Sequence, residues 1–116
     1  MKLGIDIGSI AAKVVVADDS DEIVESIYRR TGGQPDSTIR DILGDVFGRY
    51  ALADFTAAAT GTGARRLAES LGIPFVNEII AQAAGTTRHH PDVLTIFEIG
   101  GADSKMILLA GTAAGS

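Results

Sequence analysis

Apolar and polar residues alternate at the start of the chain, with Ile5 and Ile7 set against Asp6 and Gly8. A two-residue period of this kind predicts a strand over Leu3–Ser9, because successive side chains of a strand point to opposite faces. Lys13–Ala17, with three consecutive valines, predicts a second strand, and Glu22–Tyr28 a third after the turn cluster Asp18, Asp19, Ser20 and Asp21. Three short strands with tight turns imply an antiparallel meander. The period then changes. Beyond "TGGQPDS", the residues Ile39, Ile42, Leu43, Val46 and Phe47 share one helical face, predicting a helix from a cap at Asp36 or Ser37 to about Tyr50. Asp54–Thr60 predicts a strand that ends in "TGTGA", and Arg65–Leu71 a short helix closed by Gly72. "IPFVNE" predicts a fifth strand at Ile73–Asn77, followed by a small-residue helix from Glu78 to about Arg88. After the turn "HHPD" come two more predicted strands, Val93–Ile99 and Met106–Ala110, and "GTAAGS" reads as a frayed tail.

The predicted order is βββαβαβα followed by ββ. Up to Arg88 it matches a ribonuclease-H-like unit of the α/β class, a mixed sheet in which three antiparallel strands are followed by βαβα. Composition narrows the function. The chain has 116 residues, 46% of them hydrophobic and 22% charged, which is a globular balance and not a disordered one. No apolar run approaches the ~20 residues that span a bilayer, and no basic-then-apolar signal region opens the chain, so a cytoplasmic protein without membrane contact is expected. The net charge of −5 argues against a general nucleic-acid binder, which needs a basic face. With no cysteine, the chain itself offers no disulfide, no thiolate metal site and no ligands for an iron–sulfur cluster.

The candidate chemistry comes from a repeat. "IDIGSIAAKVVV" (Ile5–Val16) aligns with "FEIGGADSKMIL" (Phe97–Leu108), so that Asp6 meets Glu98, Gly8 meets Gly100 and Lys13 meets Lys105. A glycine in each turn lets backbone N–H groups approach a phosphate, and the small residues Ser9 and Gly101 keep that approach open. A carboxylate one step before the turn would repel phosphate directly, so Asp6 and Glu98 are suited to holding Mg²⁺ or its water shell. Phosphoryl transfer asks mainly for such positioning and charge neutralisation. There is no Walker-type P-loop, and "GTGARR" lacks the third glycine of a dinucleotide fingerprint. A nucleotide would therefore be held by paired hairpins. Each feature also has a plainer reading: Asp6, Lys13 and Lys105 as solvated strand residues, "TGTGA" as a strand-to-helix turn with Thr60 as a cap, and Glu78 as a complement to a helix dipole. His89 and His90 read as loop residues and a poor metal pair. Arg29, Arg30, Arg65 and Arg66 read as solvated surface.

"GIDIGS…K", "ATGTGARRLAESLGIPFVNEIIAQAAG" and "FEIGGADSK" together resemble the BadF/BadG/BcrA/BcrD-type ATPases over nearly the whole chain. That family includes activators of 2-hydroxyacyl-CoA dehydratases and ATPase subunits of benzoyl-CoA reductases, in the actin-like superfamily. The resemblance implies ATP and Mg²⁺ as ligands and a CoA-ester dehydratase or reductase as partner, activated by ATP-driven electron transfer. It implies a first phosphate loop of Asp6, Gly8, Ser9 and Lys13, and a second of Glu98, Gly100 and Gly101 with Asp103, Ser104 and Lys105. It matches Thr60, Gly61 and Gly63 to a "TG-x-G" turn, with Gly61 and Gly63 among the cofactor-binding residues, and sets Asn77 and Glu78 before the small-residue helix, with Glu78 positioning the attacking water. Two departures stand out: glutamate at 98 where short activators carry aspartate, and no cluster-binding cysteine. The expected organisation is a first ribonuclease-H-like domain over residues 1–92 and the opening phosphate hairpin of a truncated second domain over 93–116. Such a piece would be an incomplete ATPase, inactive alone. The unpaired apolar hairpin at residues 93–110 predicts a homo-oligomer or strand exchange. The rival expectations are a sugar- or acetate-type kinase of the same superfamily and an assembly domain that has lost nucleotide binding.

Overall fold

The computed structural model describes residues 1–99 and 104–109, with the side chains of Glu98, Ile99, Ser104 and Lys105 outside that description. Two compact units divide at Val76 and Asn77.

In the first unit, β1 (Lys2–Ile7), β2 (Ala11–Ala17) and β3 (Ile23–Arg30) form the expected antiparallel meander, and β4 (Thr56–Thr60) adds in parallel to β1. The sheet order is β3-β2-β1-β4. The period-two pattern sets what is buried: Leu3, Ile5 and Ile7 of β1 and Ala12, Val14 and Val16 of β2 face one side and are each at most 4% exposed. Helix α1 (Pro35–Arg49) contributes Ile39, Ile42, Leu43 and Val46 to the same core. Helix α2 (Arg65–Leu71) adds Ala68, and Gly72 closes it by donating its N–H to the Ala68 and Glu69 carbonyls.

Local chemistry corrects two expectations. The cap of α1 is Gln34, not Asp36 or Ser37, because Pro35, with its fixed φ and missing N–H, suits the first helical position. The stretch Ile73–Asn77 does not form a strand. It makes one parallel bridge, Ala59 to Phe75, with Pro74 O accepting from Ala59 N–H and Val76 N–H donating back to Ala59 O. Pro74 has no N–H to extend the ladder. The segment is held by its side chains instead, since Phe75 packs on the core and the Arg65 guanidinium lies 4.3 Å over its ring. Arg65 is exposed, as expected, and also covers one face of that ring.

In the second unit, α3 (Glu78–His89) is followed by β5 (Thr95–Ile99) and β6 (Ser104–Leu108), paired antiparallel. The helix takes in His89 and has His90 as its C-cap, with the His90 N–H on Thr86 O, so the predicted turn starts later than expected. Phe97 and Met106 sit directly opposite one another on the hairpin and are exposed, as is Leu108. Residue 110 of the predicted last strand and the tail "GTAAGS" lie outside the described residues.

Candidate functional site

The carboxyl ends of the parallel neighbours β1 and β4 lie side by side, and the connections leaving them are the two glycine turns singled out by sequence. In open α/β sheets this is where ligands bind. Asp6 is the partner of Lys13 across β1 and β2 and of Thr60 across β1 and β4. Lys13 is in turn the partner of Tyr28 on β3. Directly paired strand residues project to the same face, so Tyr28, Lys13, Asp6 and Thr60 make one row on the face away from α1. The Lys13 ammonium lies 3.6 Å from Asp6 Oδ2, both groups being partly open to solvent. Thr60 Oγ1 is buried and has no hydrogen-bond partner among the described residues.

The turn between β1 and β2 is closed by the Gly8 N–H on the Ala11 carbonyl at 2.9 Å. Ser9 and Ile10 occupy its tip, and among the described residues nothing accepts from their N–H groups. Gly8 itself has an ordinary backbone: a Cβ there would meet only Ala11 O, at 3.6 Å. The fold itself does not need glycine at this position.

The "TGTG" turn is the opposite case. Gly61 has φ +104°, and a Cβ on it would stand 2.6 Å from Asp6 Oδ1 and still closer to Ile7 O. Gly63 donates its N–H to Ile7 O at 3.0 Å, and a Cβ there would be 2.8 Å from Ile7 Cγ2. Both glycines let this turn lie across the end of β1 beside the Asp6 carboxylate. Thr60 does not cap α2, whose N-cap is Ala64.

In the second unit, Glu78 opens α3 beneath a cap in which Asn77 Oδ1 accepts the Ile79 N–H at 2.8 Å. The β5–β6 register places Glu98 opposite Lys105, as β1–β2 places Asp6 opposite Lys13. Flanking pairs also correspond, Phe97 with Met106 as Ile5 with Val14. The sequence repeat is thus a repeat of strand register. Gly100, Gly101 and Asp103 lie outside the described residues, as do the side chains of Ser104 and Lys105. Among the described residues no three His, Asp or Glu side chains cluster as a metal cage.

Tyr28 was not a candidate from sequence. Its place in the row depends on the β2–β3 register, for which a single sequence holds no marker except strand length.

A three-stranded antiparallel meander with a parallel fourth strand, closed at one end by a pair of glycine turns, is the ribonuclease-H-like architecture of actin-like ATPases. Comparison with known proteins agrees. No protein-family model matches the chain. The (R)-2-hydroxyglutaryl-CoA dehydratase activating ATPase of Acidaminococcus fermentans is 33% identical over 108 residues, 90% of this chain and 41% of the relative. The crystal structure of that dehydratase's component A superposes at a TM-score of 0.80 with 31% identity, covering 93% of this chain and 42% of the other. The 2-hydroxyisocaproyl-CoA dehydratase activator of Clostridioides difficile is 32% identical over 110 residues, 92% of this chain and 40% of the relative. The solved activator of that dehydratase, with bound ADPNP, superposes at a TM-score of 0.75, covering 93% of this chain and 40% of that one. An Aquifex aeolicus member of the Ppx/GppA family, at 14% identity, a TM-score of 0.53 and coverage of 93% of this chain and 51% of that one, shares the fold alone. Over about nine-tenths of its length the chain is similar to two activators of 2-hydroxyacyl-CoA dehydratases, and it spans about two-fifths of the length of these curated relatives.

Proposed function

We propose that this chain is the nucleotide-binding first part of an actin-like ATPase that activates a CoA-ester dehydratase or reductase. The observation that carries the proposal is the duplicated hairpin, with acid and lysine directly paired at the same register in β1–β2 and β5–β6. The named relatives, one of them solved with a bound ATP analogue, support the same reading.

The residues divide the work by chemistry. The open N–H groups of Ser9 and Ile10 and the Lys13 ammonium receive phosphate oxygens, with Gly8 permitting close approach. The donor set suits magnesium, which keeps most of its water and takes one or two carboxylates together with phosphate. Asp6 offers the carboxylate, and the unpartnered Thr60 hydroxyl beside it would bind a water of that shell. Magnesium, when bound, neutralises phosphate charge. The second loop, with Glu98, Gly100, Gly101, Asp103, Ser104 and Lys105, contributes the same contacts, while Glu78 orients the attacking water. Gly61 and Gly63 hold their turn close to Asp6.

We further propose that residues 1–92 and 93–116 correspond to the first domain and the opening hairpin of the second domain of a longer cytoplasmic protein. Hydrolysis and electron transfer then need parts outside these 116 residues. In the isolated chain, the exposed Phe97, Met106 and Leu108 favour self-association through residues 93–110.

The test is an amide NMR titration with Mg·ATP, run on the chain and on Asp6→Ala. Shifts at Ser9, Ile10 and the second turn that vanish in the variant support the proposal. No response at millimolar nucleotide in a folded sample refutes binding by this chain.

A further inference from the structure

Thr31 is the one buried polar residue among those described, at 7% exposure. It stands just past β3, twenty-one positions from Ile10. It nevertheless gives the Ile10 carbonyl two hydrogen bonds, from its backbone N–H at 2.9 Å and from Oγ1 at 3.1 Å. Two donors converging on one carbonyl use both its lone pairs and fix its direction. Ile10 needs such an anchor, since its side chain is 46% exposed and apolar packing does little to hold it.

The anchor is rigid on its far side as well. The Thr31 carbonyl accepts the Gln34 N–H at 2.9 Å, and Gln34 caps α1. That helix is fastened to the sheet through Ile39, Ile42 and Val46, each at most 1% exposed. The tip of the first glycine turn is therefore tied, through one threonine, to the best-buried helix of the unit. At its other end the turn is closed by the Gly8 N–H on Ala11 O. Between these two fastenings lie the Ser9 and Ile10 N–H groups, which have no acceptor among the described residues.

We propose that Thr31 is a positioning residue of the phosphate turn, holding the Ile10 carbonyl from behind so that the Ser9 and Ile10 N–H groups stay directed at an incoming phosphate. The inference rests on the nucleotide reading of that turn given above. Its physical basis is pre-organisation: a turn already fixed loses less conformational freedom when it binds. Thr31 touches no ligand. It acts through Ile10, and the hydroxyl is the part of it that can be removed without disturbing the backbone donor.

The experiment compares Thr31→Val, which keeps shape and loses the hydroxyl, with Thr31→Ser, which keeps the hydroxyl. Amide spectra are recorded without nucleotide and through a Mg·ATP titration, with wild type and Asp6→Ala alongside. In the valine variant the Ser9 and Ile10 amides move before any nucleotide is added. Affinity then falls about three- to tenfold, the worth of one hydrogen bond, and serine restores both. A valine variant with unmoved amides and wild-type affinity, while Asp6→Ala loses binding, overturns the role of Thr31 and leaves the nucleotide reading intact. A wild-type chain that ignores Mg·ATP overturns both. Thr31→Ala, which cannot overfill the site, is measured in the same way in case valine prevents folding.

Discussion

Gly61→Ala tests how the "TGTG" turn is built. At φ +104° an L side chain is strained by about 1–3 kcal/mol. The new Cβ also meets the Ile7 carbonyl oxygen and, at 2.6 Å, Asp6 Oδ1. The Ile7 carbonyl belongs to the backbone of β1 and cannot retreat without loosening the sheet, so overpacking adds about 1–3 kcal/mol. The sum, about 2–6 kcal/mol, is a large part of the 5–15 kcal/mol that typically holds a domain of roughly this size. At about 4–8 °C per kcal/mol for a small domain, Tm falls by at least about 8 °C. Urea and thermal unfolding followed by circular dichroism measure the effect, with Gly63→Ala and Gly8→Ala as graded controls. At Gly63 the nearest obstacle is a side-chain methyl of Ile7, and at Gly8 there is none closer than ordinary contact. The expected order of damage is Gly61, then Gly63, then Gly8. A Gly61→Ala protein within about 1 kcal/mol of wild type, or one more stable than Gly8→Ala, would refute the argument.

Other outcomes follow from the same geometry. Gly8→Ala unfolds within about 1 kcal/mol of wild type, since a Cβ there meets only ordinary contact; on the proposed nucleotide reading it loses most of its Mg·ATP response in the NMR titration, and equal binding by the variant would count against a phosphate at this turn. Ile42→Ala, at a fully buried position between α1 and the sheet, costs about 2–5 kcal/mol in urea unfolding. The Tyr50 hydroxyl donates to Glu25 Oε1 at 3.1 Å, and that bond raises the phenol above its ordinary value. Because the folded value is the higher one, its contribution to stability is complete below the ordinary phenol range and is lost as pH rises through the raised value. Alkaline absorbance titration of Glu25→Gln should show ionisation at lower pH than wild type, with Tyr50→Phe identifying the signal; superimposable curves would contradict the assignment.

The hairpins were legible because their information is local. The alternation in Leu3–Ser9, the valine run in Lys13–Ala17, and the equal separations of Asp6 from Lys13 and Glu98 from Lys105 need no knowledge of distant contacts. The strand expected at Ile73–Asn77 shrinks to a single bridge, and the reason, Pro74, is itself in the sequence. The start of α1 differs for a similar cause: Asp36 and Ser37 are good capping residues, but Pro35 ahead of them takes the first helical position. Tyr28 and Thr31 could not be found from one sequence, since their importance depends on which residues β3 and its exit bring beside β2 and the Ile10 carbonyl. Gly61 and Gly63 are recognisable as a motif, but that the backbone itself requires glycine there is visible only from the distances to Ile7.

The register of β1 on β2 also limits how this chain can change length. With Asp6 opposite Lys13, one residue inserted in the intervening turn would move β2 by a single step. Lys13 would then point into the space that Val14 fills, and Val14 would take its place on the open face. Two inserted residues restore the parity and leave the core chemistry acceptable. A single insertion that shifts this register should therefore be rejected, whereas a pair leaves Val14 and Val16 in the core.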